Sequence, residues 1–309
     1  MSLSRIACAT FGFALVTLLT AATTATPAFS TWSIPVNLGA SINSPSVDAG
    51  AAISKDGLSL YFNSDRPGGF GNQDIWVSQR ATVKAPWGTP WNLGPTINTG
   101  ALEAVPAFSR DEHWMFFNSN RDGGFGQVDL WASYRVNPHD NFAWGPPINL
   151  GPGVNSAFFD AGAGFFENEE SGRPLLFFVS TRTGGPGNFD MYVSAVTAEG
   201  FLGPATLIPE LSSPANERRP SVRFDGQEIF FDSDRAGSLG ADLWASTRDT
   251  VTQPWSIPSN LGTVVNSASD DIQPYIAADR ETLFFASNRP GGSGDFDLYV
   301  TTRMKVHGR

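Results

Sequence analysis

"FNSDRPGGFGNQDIWVS", residues 62–78, decides how the rest of the chain is read. It crowds an arginine, two aspartates and three glycines into one segment, as a ligand site would. Yet versions of it recur as "NSNRDGGFGQVDLWAS" (118–133), "VSTRTGGPGNFDMYVS" (179–194), "DSDRAGSLGADLWAS" (232–246) and "ASNRPGGSGDFDLYVT" (286–301). The arginines are Arg66, Arg121, Arg182, Arg235 and Arg289, and the later aspartates are Asp74, Asp129, Asp190, Asp242 and Asp297. Steps between the arginines are 55, 61, 53 and 54 residues. A period near 50 marks a propeller or array rather than one irregular domain.

Each unit parses into four strands. In the first, "VDAGAAIS" (47–54) reaches the turn "KDG", "LSLYFNS" (58–64) leads into the Gly-rich loop, "DIWVSQR" (74–80) follows, and "WGTPWNLG" (87–94) closes the unit. The second strand carries adjacent apolar residues in every copy: "LYF", "MFF", "LFF", "IFF" and "LFF". An unbroken apolar run places both faces of a strand in a core, as when sheets stack on one another. The fourth-strand type appears at Trp32, Trp87, Trp144, Phe201 and Trp255. The first of these precedes every other strand, and the last repeat stops at its third strand, "DLYVTTR" (297–303). An N-terminal strand that completes the last blade would close the ring and protect its edge. The expectation is an all-β, five-bladed β-propeller, one domain over residues 31–303 with a C-terminal tail over 304–309.

Residues 1–30 have a different character: one basic residue, no acid, an apolar run from Phe11 to Leu19, then small residues with Ala28 and Ser30 before Thr31. This reads as a secretory signal peptide, and the run is too short for a membrane span. Cys8 lies inside it, so the mature chain carries no cysteine and neither disulfide nor thiolate chemistry. Without Arg5 the mature chain has 19 basic and 30 acidic residues, a net charge of −11. That sign disfavours nucleic acid.

"SDRPGGFGNQDIW", preceded by "SKDGLSLYF", resembles the TolB-type, WD-like β-propeller repeats of bacterial envelope proteins, and "NLGASINS" and "NLGPTINT" resemble the linkers of an envelope subgroup. The resemblance covers essentially the whole mature chain. It implies a secreted or periplasmic propeller whose partners vary, because function resides in sites grafted on a fold.

Five residues after the Asn of each linker, or after Ser212 in the fourth copy, comes an acid: Asp48, Glu103, Asp160, Glu217 and Asp271. In an up-and-down blade these share one face with the Gly-rich loops. A converging ring of carboxylates would suit calcium. The other reading is a brace, each Arg fork held between a ring acid and the later Asp of the repeat, fixing blade to blade. No other cofactor and no metal cluster is expected, since His113, His139 and His307 are scattered.

Function should show where repeats differ. Phe70 and Phe125 stand at loop tips, "NERRP" puts Arg218 and Arg219 beside Glu217, and Asp270 pairs with Asp271. "ENEES" (167–171) and "NPHDNF" (137–142) decorate the opposite face. These features suggest a monomeric, non-catalytic module binding a protein or envelope polysaccharide. The alternative is a glycan-active hydrolase or lyase using Glu217, Asp270 or Asp271.

Overall fold

A computed structural model describes residues 28–168, 173–196 and 202–306. Among them are five antiparallel four-stranded sheets and no helix. The first blade is built from Asp48–Ile53, Ser59–Ser64, Asp74–Gln79 and Trp91–Asn92, in that spatial order. The fourth contains Glu217–Val222, Glu228–Ser233, Asp242–Thr247 and Ser259–Asn260. In the fifth, Asp271–Ile276, Thr282–Ser287 and Asp297–Thr302 are joined by Val36–Asn37 from the beginning of the chain. Val36 pairs with Val300 and Asn37 with Tyr299, so the ring closes as its repeat pattern predicts.

Pairing runs past the expected limits at both ends. Ala28–Phe29 pairs with Lys305–Val306 in a separate two-stranded sheet, and the Arg303 guanidinium lies 3.9 Å from the centre of the Phe29 ring. The fourth strands are shorter than expected, with Trp91–Asn92 standing where residues 87–94 were anticipated. Tryptophans a few residues before these strands face arginines just after third strands: Arg80 over Trp87 at 4.2 Å, Arg135 over Trp144 at 4.2 Å, and Arg303 over Trp32 at 4.5 Å. The guanidinium covers the indole face while its own stem is shielded from water. Phe201 lies outside the described residues.

Five seams replace a single core. Phe62, Phe284 and Leu298 pack between the fifth and first blades, whereas Tyr61, Ile75, Met115 and Phe117 pack between the first and second. Phe230, Leu243, Leu283 and Phe285 fill the seam between the fourth and fifth. The two halves of each apolar pair in a second strand therefore enter different seams, which is why the run does not alternate with polar residues.

Every innermost strand carries a β-bulge, at Ala49/Ala52, Ala104/Ala107, Ala161/Gly164, Arg218/Ser221 and Ile272/Tyr275. Each bulge holds one residue at positive φ: Gly50, Val105, Gly162, Arg219 and Gln273. Bulges bend the strand where it lines the central channel. The Gly-rich loops need glycine for closeness as well as for conformation. A Cβ at Gly71 would overlap the carbonyl oxygens of Ala101 and Thr99 in the linker to the next blade.

Candidate active site between the fourth and fifth blades

The five repeated acids form clamps. Asp48, Glu103, Asp160, Glu217 and Asp271 are all without solvent exposure. Each pairs with the arginine of its own blade: Asp48 with Arg66, Glu103 with Arg121 at 3.0 Å, Asp160 with Arg182 at 2.6 Å, Glu217 with Arg235 at 2.9 Å, and Asp271 with Arg289. The same arginines donate to linker carbonyls, as Arg121 Nη2 does to Ile97 at 2.5 Å, and to a serine such as Ser119 through Nε at 3.0 Å. The acid in turn accepts the backbone N–H of the linker, from Thr99 to Glu103 at 2.6 Å. Each clamp thus ties a loop to its own first strand and to the incoming linker.

The later aspartates do not share the arginine, contrary to the two-acid fork expected from the repeat. Asp74 accepts the N–H groups of Phe70 and Gly71 at 2.6 and 3.1 Å and the Asn92 amide at 2.6 Å, closing its own loop onto the fourth strand. Asp129 and Asp297 repeat this arrangement. Asp190 accepts from Gly187, and Asp242 from Asn260 and Leu239. The ring carboxylates are turned into their own clamps and do not converge on the axis. Among the described residues, no group of three or more acids and histidines is placed to hold a metal ion.

The symmetry breaks at one seam. Between the fourth and fifth blades a cleft of about 540 Å³ is lined by Arg218, Asp232, Asp234, Asp270, Gln273 and Phe296, among others. Three local changes set this seam apart. The loop from Arg235 to Asp242 spans seven steps where the other four span eight, and the residue before the aspartate is Ala241 where the first blade has Gln73. The position after the ring acid is Ala49, Ala104 and Ala161 in the first three blades but Arg218 here. Finally, Asp232 stands where the first two blades have Asn63 and Asn118.

That last position is a seam latch. Asn63 Oδ1 accepts the N–H of Val105 at 3.1 Å, Asn118 Oδ1 that of Gly162 at 2.9 Å, and Asp232 Oδ1 that of Gln273 at 2.9 Å. The geometry is shared, but in the fourth blade the latch can ionise. Burial pushes the Asp232 carboxyl up to about 6, against the opposing pull of the Arg218 guanidinium and the Gln273 N–H. Arg218 spans two acids: Nη1 lies 3.3 Å from Asp232 and Nη2 3.4 Å from Asp234. Burial also acts to raise Asp234, but two donors from Asn216 and the Arg218 charge outweigh it and hold that carboxyl below its ordinary value. Two neighbouring carboxyls are therefore biased toward opposite protonation states.

The anticipated residues are dispersed accordingly. Phe70 and Phe125 are half-exposed at loop tips in the first and second blades and do not line the cleft. Arg218 enters the cleft. Arg219, expected on the same surface, is 2% exposed inside the channel, where Nη2 donates to the carbonyls of Ala51 at 2.7 Å and Pro106 at 3.0 Å. Glu217 and Asp271 are held in clamps and do not line the cleft, whereas Asp232, just as buried, borders it. Asp270 does line the cleft, accepting the N–H of Ala241 at 2.9 Å. Asp232 was missed as a candidate. Its signal was a carboxyl at a strand position that the other copies fill with Asn63, Asn118, Val179 and Ala286. His113 sits against the Arg135 carbonyl, 2.9 Å from Nδ1, and His139 is exposed; His307 and part of "ENEES" lie outside the described residues.

No protein-family model matches the chain, and no curated protein matches it. The resemblance to TolB-type repeats therefore rests on the motifs alone. Solved structures do match. A thermostable family-43 glycoside hydrolase aligns with a TM-score of 0.59 at 11% identity, covering 86% of this chain and 92% of its own. A GH43_1 enzyme from Xanthomonas citri complexed with xylotriose gives 0.59 at 15% identity, over 89% and 91%. An alpha-L-arabinofuranosidase from Podospora anserina in complex with cellotriose gives 0.54 at 13%, over 90% and 98%. At these identities the likeness shows the five-bladed fold alone. It runs against the expectation of a non-catalytic binding module, since these similar propellers are glycoside hydrolases.

Proposed function

We propose that this protein is a glycan-active hydrolase whose reaction takes place in the cleft between the fourth and fifth blades. The observation that carries the reading is the pair of carboxyls on Arg218, Asp232 biased toward its neutral form and Asp234 toward its ionised form. Glycosidic cleavage asks for that division of labour, one carboxylic acid and one carboxylate flanking the bond. Asp232 transfers its proton to the glycosidic oxygen as the bond from that oxygen to the anomeric carbon breaks. Asp234 opposes the charge of the developing oxocarbenium ion and takes a proton from the water that adds to the anomeric carbon, and exchange with solvent returns a proton to Asp232. A proton held near pH 6 is matched to this task, being present in mildly acidic solution and still labile. Phe296 offers an aromatic wall for a sugar ring, and Asp270 a further acceptor for hydroxyls.

The similar structures bound to xylotriose and cellotriose support β-linked oligosaccharides, pentose polymers first, as trial substrates. The leader-like first 30 residues fit an exported enzyme acting on a polymer outside the cytoplasm. The test is release of reducing sugar from xylan, arabinoxylan and cello-oligosaccharides by the purified protein, with Asp232→Asn and Asp234→Asn in parallel. Activity in the parent that disappears in both variants supports the reading. Equal turnover by parent and variants would remove the cleft from the chemistry, and inertness of the parent on every glycan tried would remove the hydrolase.

A further inference from the structure

The ring lacks a covalent link at one place, and residues from the leader side of Thr31 bridge it. In the first four blades one continuous stretch of chain joins the third strand to the fourth. In the fifth, Asp297–Thr302 and its outer neighbour Val36–Asn37 come from distant parts of the sequence. The short sheet of Ala28–Phe29 with Lys305–Val306 stands where the other blades have that connection. Its contacts are specific. Ser30 donates its N–H to the Met304 carbonyl at 2.9 Å, and Ser30 Oγ accepts the N–H of Met304 at 3.0 Å. The Phe29 ring lies 3.9 Å from the Arg303 guanidinium, and Trp32 lies 4.5 Å from the same group.

Arg303 belongs to a buried ion network. Its Nη1 donates to Glu228 of the fourth blade at 2.9 Å, and Arg223 approaches the same carboxylate at 2.6 Å; all three side chains are buried. The Arg223 guanidinium is also against Phe29, at 5.2 Å. An aromatic face laid over two guanidinium groups attracts their charge and keeps water from the carboxylate between them. The second blade uses the equivalent place in the same way. Asn141 precedes Trp144 by three residues, as Phe29 precedes Trp32, and is 5% exposed. Arg135, which stacks on Trp144 as Arg303 does on Trp32, donates to the Asp140 carbonyl at 3.2 Å. Residues at this place are part of the blade.

A leader cut before Thr31 would discard Phe29 and Ser30 and with them the bridge. A second junction obeys the same preference for small residues at the −3 and −1 positions: Thr26 and Ala28, ahead of Phe29. Cutting there gives up the Ala28–Val306 pair and keeps every contact of Phe29 and Ser30 described above.

We propose that the Ala28–Phe29 peptide bond is the processing site, cut by a leader peptidase that reads small side chains, and that Phe29 and Ser30 remain as the stitch closing the ring. Water adds across that bond, leaving a carboxylate on Ala28 of the released leader and an α-ammonium on Phe29 of the mature chain. This rests on the export reading of residues 1–30 and is independent of the chemistry in the cleft.

The test is to express the full chain with its own leader in a secreting bacterial host and to determine the first residue by intact mass and N-terminal sequencing. A chain beginning at Phe29 is expected. One beginning at Thr31, or at any other internal residue, overturns the site while export stands. Protein that keeps residues 1–28 overturns the site and the export reading together. The stitch is tested on processed parent, Phe29→Ala and Phe29→Tyr, each confirmed by mass to begin at residue 29. The melting temperature should fall by about 2–4 °C in Phe29→Ala, for the loss of the aromatic cover. Phe29→Tyr keeps the ring and should recover most of that fall. Equal melting temperatures in parent and Phe29→Ala would overturn the stitch, and so would an equal fall in both variants.

Discussion

The seam between the first and second blades and the seam between the fourth and fifth are built on the same plan and serve different ends. In the first, Asn63 accepts the N–H of Val105, and the residue beside the ring acid is Ala49. In the second, Asp232 accepts the N–H of Gln273, and the residue beside the ring acid is Arg218. A neutral amide at this position latches two blades without electrostatic consequence. A carboxyl there latches them equally well, yet it must also hold or lose a proton in a site where burial penalises the charge. One atom type changed in an otherwise conserved geometry turns a structural hydrogen bond into an acid.

The comparison can be broken or sharpened by substitution. The largest expected effect is on turnover: Asp232→Asn restores the amide of the first two blades, keeping the latch while removing the proton. Loss of a general acid should lower kcat about 10²–10⁴-fold, with the circular dichroism spectrum of the parent retained. The variant also tests the pH argument. The folded-state value of Asp232 is raised from 3.8 to about 6. Between those limits the folded protein keeps a proton that the unfolded chain has released, so stability falls as pH rises through that window. Parent turnover should decline above about pH 6, and Asp232→Asn should remove this group's contribution to the pH dependence of stability.

Next in size are the clamps. Glu103→Ala leaves the Arg121 guanidinium facing a buried site without its carboxylate, and the cost should be roughly 3–5 kcal/mol in chemical denaturation. Cleft chemistry, on the other side of the ring from Glu103, should persist in whatever fraction remains folded. A converse experiment imports the fourth-blade chemistry elsewhere. Asn118→Asp creates a buried carboxyl whose blade has Ala104 where the fourth has Arg218. Stability at neutral pH should drop by about 1–3 kcal/mol and recover on acidification as the carboxyl takes up its proton. If acidification brings no recovery, the difference between the seams is not one of ionisation. The smallest effect belongs to Phe125→Ala, at a half-exposed loop tip. There both stability, within about 0.5 kcal/mol, and turnover should stay near the parent's.

Much of the architecture was legible because repetition averages over local ambiguity. A single "LYF" could be a helix fragment or a strand, but five such pairs at one spacing within look-alike modules specify stacked sheets. The clamp residues were legible in part. The ring acids and arginines were identified by their recurrence, yet the later aspartates were assigned to the wrong partner. Sequence spacing does not reveal that Asp74 turns back to its own loop N–H groups and to Asn92. Arg219 was misplaced for a related reason: adjacent residues on a regular strand would alternate faces, but the bulge between Arg218 and Ser221 rotates it into the channel.

The sequence by itself determined the number of blades, the closure of the ring by its first strand, and the burial of the second strands, because these follow from periodic apolar patterning and recurrent turn residues. Only the tertiary structure decided which acid is set apart as a proton donor. That property arises from burial between Glu217–Val222, Glu228–Ser233 and the neighbouring blade, which outweighs the opposing pull of the Arg218 charge. A carboxyl's proton affinity is a property of its surroundings in space, and no linear spacing encodes it.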